Sequence, residues 1–164
     1  CGDNENYENG FYIGGVFVKP FRTPHDATYS VGYRIEGEGK VFALATDLGV
    51  VTESILKHLT GTDLTVIESN HDINMLKKGH YPEQLKRRIM SNRGHLANFE
   101  TANAIVKLAP SSKRFLLAHL SEDNNLKELA FKESGNALKS MGAEKGDIIL
   151  DVLDQYIPSK IYDI

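Results

Sequence analysis

The sequence holds a single cysteine, Cys1, in 164 residues. That excludes an internal disulfide and a Cys-built zinc site, and it suits a reducing compartment such as the cytoplasm. Long apolar runs are lacking as well. Nothing approaches the roughly 18 residues a membrane span needs, and there is no hydrophobic signal-peptide core. Positive charge is not in excess: a formal charge of −3 and a pI near 6.1 exclude a globally basic nucleic-acid binder. Any such contact must come from a local patch. No internal repeat or low-complexity tract occurs, and neither His-x-His nor His-Glu-x-x-His spacing is present. An initiator Met is lacking too, for the chain opens Cys-Gly-Asp-Asn. It is therefore expected to be cut, processed or part of a longer protein. A Cys at such a start would also fit the acylated residue of a bacterial lipoprotein, although the rest of the chain reads as a piece of a cytoplasmic enzyme.

What is present fits one domain: 41% hydrophobic and 25% charged residues, enough for a real core. Residues 1–10 are polar and read as a flexible or cut segment ahead of a domain spanning 11–164. Phe11-Tyr-Ile and Val16-Phe-Val flank Gly14-Gly15, a hairpin signal. Pro20 and Pro24 are expected to end that strand. Strands are expected at Tyr29 to Glu36, Lys40 to Thr46, Leu64 to Ile67, Arg114 to His119 and Asp147 to Val152. Helical spacing appears over Val51 to Leu59 with Thr52 as N-cap, from Pro82 to Met90, behind Asn98 as the N-cap of a further helix, and from an Asn125/Glu128 capping box to Met141, stopped by Gly142. A meander followed by βα alternation implies an α/β layered domain, helices against a mixed sheet.

In such sheets functional groups gather beyond the strand ends. Asp47 ends the apolar run Val41 to Thr46 ahead of Gly49, and reads either as a metal ligand or as a turn-forming Asp. Glu68 to Asp72 and His119 also follow strands. Of six histidines, His58 and His80 are expected to face solvent. His25, His71, His95 and His119 lie in short polar or glycine-marked loops, and imidazole with carboxylate suits zinc, or manganese or iron where oxygen ligands dominate.

Five stretches in order, Pro24-His25-Asp-Ala-Thr-Tyr-Ser-Val-Gly-Tyr-Arg, Ala45-Thr-Asp47-Leu-Gly49, Glu68-Ser-Asn-His71-Asp72, Gly94-His95-Leu-Ala-Asn98 and Ala118-His119-Leu-Ser121-Glu-Asp-Asn-Asn125, resemble the metallo-β-lactamase-fold hydrolases, and within them the WalJ (YycJ) branch. The resemblance implies the C-terminal half of an αββα sandwich, a mixed sheet with helices on its outer face. It implies that Asp47 bridges two divalent metals, zinc, manganese or iron, that His25 completes the first metal's shell and that His119 serves the second. Glu68 and His95 match an acid and a histidine implied in proton transfer in related tRNA 3′-processing nucleases; the other reading makes them orienters of neighbouring ligands. His71, Asp72, Asn98 and Ser121 would line the site. The family's His-x-His-x-Asp-His motif precedes all five stretches and is lacking here, so the N-terminal half of the domain is expected to be the missing partner.

Lys77, Lys78, Lys86, Arg87, Arg88 and Arg93 cluster within seventeen residues around Tyr81. They read as a phosphate-binding segment, or as a solvated helix face. The activity implied by the resemblance is that of a dinuclear-metal phosphodiesterase, a 5′→3′ exonuclease with DNA rather than RNA as its partner. The alternatives are a metallo-hydrolase of small esters, lactones or phosphodiesters, and a non-catalytic fragment that binds a partner.

Overall fold

In the computed structural model residues 9–144 and 146–164 are described. The segment expected to be flexible, Cys1 included, lies outside them apart from Asn9 and Gly10. The elements are β1 (Phe11–Ile13), β2 (Val16–Arg22), β3 (Val31–Gly37), β4 (Lys40–Ala45), α1 (Glu53–Leu59), β5 (Leu64–Glu68), α2 (Ile73–Lys78), α3 (Glu83–Ile89), α4 (Asn98–Leu108), β6 (Arg114–Ala118), α5 (Lys127–Ser140) and β7 (Ile149–Val152). They build one seven-stranded mixed sheet in the order β1 to β7. Pairing is antiparallel up to β4 and parallel from β4 to β7, as a meander followed by βα units requires.

Side chains alternate across the sheet with period two. On one face Phe21, Ala43, Ala45, Ile67, Phe115 and Leu117 pack with Ile55 and Leu59 of α1, Ile105 and Leu108 of α4, and Ala130 and Leu138 of α5. On the other face Leu64, Val66 and Leu116 form a smaller cluster with Phe42, Leu44, Tyr162 and Ile164. Both faces of the parallel half are therefore apolar.

Four details differ from the expectation. Pro20 does not end β2 but pairs with Tyr33 inside it. The β1 partner stops at Val18, so beyond it β2 is an edge strand, where a residue without an N–H is tolerated. The second is α2, whose six residues are too few to show a period and which forms behind the Asp72 cap. Third, Asn98 opens α4 rather than capping it: Ala97 is the N-cap, and its N–H reaches Glu100 Oε2 at 2.8 Å. Likewise Leu126, not Asn125, sits at the cap of α5, because both asparagine side chains are committed elsewhere.

Candidate metal and active site

The parallel half delivers three groups to one edge of the sheet. Asp47 follows β4, Glu68 ends β5 and His119 follows β6. Asp47 and His119 hold left-handed backbone, with φ of 55° and 58°, a costly conformation for non-glycine residues that concentrates at functional sites. Two further histidines come from loops. The chain approaches so closely at Gly49 that an added Cβ would stand 2.3 Å from the Asn92 carbonyl carbon. At Gly94 it would meet the Arg88 and Ile89 carbonyl oxygens at 2.2 Å. Only glycines allow the 90–95 loop to lie on the turn after Asp47, and this brings His95 to the edge. Gly94 also fixes His25: its carbonyl accepts from Nδ1 at 2.9 Å. A carbonyl cannot donate, so Nδ1 carries the proton and Nε2 is left with its lone pair, 3.8 Å from Asp47 Oδ1.

Beneath these groups lies Glu68, with no exposed surface. Its Oε1 accepts from Nδ1 of His95 at 2.7 Å and of His119 at 2.8 Å, and its Oε2 from the Leu48 N–H at 2.6 Å. Burial works to raise the Glu68 carboxyl, but the hydrogen bonds from His119 and His95 prevail and hold it below the usual range. The same bond to Glu68 raises His119. With the Nδ1 protons turned inward, His95 and His119 present Nε2 outward. The rings of His25, His95 and His119 stand in series, with centroids 4.8 and 5.3 Å apart.

Two sets of donor atoms lie within 4.8 Å of one another, His25 with Asp47 and His95, and Glu68 with His95 and His119. Imidazole nitrogens held by a carbonyl or a carboxylate behind them, facing a half-exposed Asp, fit a divalent cation. Glu68 fits it less well than the others, since its oxygens are already filled by three N–H donors.

His25, Asp47, His95, His119 and Ser121 line one cleft of about 990 Å³, joined by Arg88 but by none of the other five basic residues. Arg88 is clamped to Asp26 through Nε at 2.5 Å and Nη2 at 2.8 Å, which holds the Asp26 carboxyl down at about 2. Arg93 reaches the His25 carbonyl at 3.4 Å from outside the cleft. Lys86 is turned inward: it is buried, and its ammonium donates to the Lys77 carbonyl and to Glu83, so the expectation that it meets phosphate is corrected. Lys77, Lys78 and Arg87 are exposed at helix ends. His80 is exposed as expected, whereas His58 is partly covered and stacks on Phe21 with centroids 4.4 Å apart.

The remaining expected site-lining residues do not reach the cleft. Asp72 caps α2, its Oδ1 accepting from the N–H groups of Asn74 and Met75. Asn98 belongs to a buried clip: Ser69 Oγ donates to its Oδ1 at 2.7 Å, its Nδ2 donates to Asn125 Oδ1 at 2.8 Å, and Asn125 Nδ2 returns to the Ser69 carbonyl at 2.8 Å. The clip ties together the loops after β5, before α4 and after β6. Three groups at the cleft escaped the sequence reading: Asn70, whose Nδ2 holds the His119 carbonyl at 2.9 Å, Tyr156, and the Lys127–Asp154 ion pair. The rule that groups gather beyond strand ends reaches Tyr156 too, four residues past β7.

His71 is 1% exposed, and its Nδ1 has no partner among the described residues. Burial pushes the ring from 6.5 down to about 4. A histidine depressed in the fold is protonated first in the unfolded chain, so stability is expected to fall as pH drops from about 6.5 to about 4. Urea midpoints measured across that window should slope less in His71→Leu than in the native chain; parallel slopes would contradict this.

Residues 6–120 match the model of the beta-lactamase superfamily domain. The chain belongs to that superfamily. It is 37% identical over 151 residues to the exodeoxyribonuclease YycJ of Bacillus anthracis, covering 91% of this chain and 57% of that protein. It is 38% identical over 127 residues to the exodeoxyribonuclease WalJ of Streptococcus pneumoniae serotype 2, covering 77% and 47%. The chain thus spans about half the length of these curated relatives. Among solved structures it superposes on the metallo-beta-lactamase fold protein YhfI of Bacillus subtilis with a TM-score of 0.62 at 14% identity, over 90% of this chain and 51% of that one. The sheet and its helices are thus the metallo-β-lactamase fold. Among the described residues no helix is long and apolar enough to cross a membrane.

Proposed function

We propose that this chain carries part of the active site of a metal-dependent phosphodiesterase, an exonuclease acting 5′→3′ on double-stranded DNA in the cytoplasm. The observation that carries the reading is the convergence of His25, Asp47, His95 and His119 on one cleft above a buried Glu68. The nuclease names of the two relatives support the substrate class.

In this reading His25, Asp47 and His119 hold the metals. Glu68 touches no substrate; it keeps the Nδ1 protons of His95 and His119 in place and fixes the direction of both rings. His95, which lines the cleft between His25 and His119, is placed to pass a proton to a leaving oxygen. Divalent cations held here would polarise a phosphoryl group and make a nearby water more acidic. The remaining ligands come from a complementary half-domain bearing His-x-His-x-Asp-His. The second apolar face of the sheet, where Phe11, Ile13, Val16 and Tyr33 are exposed, is suited to receive it.

Two measurements test the reading. Zinc titration of this chain by calorimetry should give weak binding, and tight uptake of two ions would refute the half-site. The protein in its full native length should degrade linear duplex DNA with manganese, stop on chelation and weaken steeply with salt. Turnover of a small ester with DNA untouched would overturn the nuclease assignment.

A further inference from the structure

Opposite the histidines, the cleft is lined by Tyr81 and by the segments 120–123 and 153–156. Two tyrosines stand out. The Tyr81 hydroxyl donates to Asp123 Oδ2 at 2.7 Å, and the Tyr156 hydroxyl donates to the neighbouring Glu122. Each phenol is tethered at its polar end by a carboxylate of one short loop, which leaves the ring to the cleft. Tyr156 is 77% exposed, yet its backbone is fixed, because Asp154 Oδ1 accepts from the N–H groups of Tyr156 and Ile157 at 2.8 and 3.0 Å. An aromatic ring held rigidly in a cleft without covering it has little use in folding.

The charges beside the two rings disfavour phosphate as the group received at this end of the cleft. The cations in the cleft lining are Arg88 and Lys127, and each is already paired with a carboxylate, Asp26 and Asp154. Glu122 and Asp123 add negative charge beside the two rings. A phosphate set directly against these two carboxylates would be repelled, whereas the face of a base would find a neutral aromatic surface there.

We propose that Tyr81 and Tyr156 form a stacking platform for the unpaired bases at the end of a nucleic-acid strand whose phosphodiester lies at the histidines. The inference rests on the nuclease reading and adds a specificity element to it: the site takes a frayed strand end, base by base, and tolerates any sequence, since every base has a π face.

The test uses the protein in its full native length with metal chelated to prevent cleavage. Fluorescent single-stranded DNA is compared with the same strand carrying abasic residues at its end. Tyr156→Ala should weaken binding of the intact strand roughly 5- to 150-fold, the range of one stacked base, and leave the abasic strand unchanged. Tyr156→Phe should bind like the native protein. Equal losses on intact and abasic DNA would overturn the platform, as would a Tyr156→Phe defect matching the alanine variant, which would assign the effect to the Glu122 tether. A native protein that cleaves DNA but ignores abasic ends sinks this inference alone; one that neither binds nor cleaves DNA sinks the nuclease reading with it.

Discussion

Replacing Glu68 by alanine is expected to lower the unfolding free energy of the chain by about 3–5 kcal/mol, a large share of the roughly 5–15 kcal/mol that keeps a domain of this size folded. The carboxylate is fully buried and accepts three N–H groups, from Leu48, His95 and His119. Alanine strands the covered Leu48 N–H and His95 Nδ1, while His119, 43% exposed, can turn to water; a buried donor without a partner costs about 1–3 kcal/mol. Glu68→Gln keeps two acceptor lone pairs but turns an amide N–H toward donors, so it should fall between alanine and the native chain. The pH dependence separates the two ends of the network. With its pKa held below the ordinary value, Glu68 contributes stability that is present at neutral pH and lost as pH falls through the carboxylate range. His119, raised above 6.5, contributes stability below that value which is lost as pH rises through its folded pKa. Urea unfolding of the three proteins checks this, and an alanine variant within about 1 kcal/mol of native would refute the buried-anchor role.

Asp47→Ala is expected to have the opposite profile, with metal affinity reduced on the order of 100-fold or more and stability nearly unchanged. The Asp47 side chain is 41% exposed and lies 3.8 to 3.9 Å from His25, His95 and His119. Only the His25 contact is to a nitrogen with a free lone pair, Nε2, and its 3.8 Å suits an oxygen that shares an ion with that ring rather than one that bonds it directly. The His95 and His119 atoms near Asp47 are the Nδ1 groups that already serve Glu68. Asp47→Gly should even gain a little stability, because φ of 55° costs glycine nothing. Metal binding by calorimetry and unfolding by urea, both run on the protein in its full native length, distinguish the profiles. An Asp47→Ala chain that keeps its metal affinity would remove Asp47 from the site.

The sequence made the ends of the strands legible because alternation and turn residues act locally. Val41 to Thr46 and Arg114 to His119 announce β4 and β6, and Asp47 and His119 inherit their position from them. Boundaries drawn from capping residues fared less well. Asn98 and Asn125 have the right chemistry for caps, but each found a buried partner in the other, and a paired amide deep in the protein outbids a helix end. Lys86 looked like its basic neighbours until the packing of α3 turned it inward. Tyr156 carries no local signal; only the return of the chain along β7 to the cleft gives it meaning. The Glu68 network was equally hidden, since its three donors come from residues 20, 27 and 51 positions away.

The clip of Ser69, Asn98 and Asn125 bears on how this region changes and how it can be moved. Each amide there uses its partner's complementary end, so no one of the three can be exchanged without leaving another unsatisfied. A graft that carries His95 or His119 onto another scaffold must bring all three, or the loops it transplants will arrive unlatched.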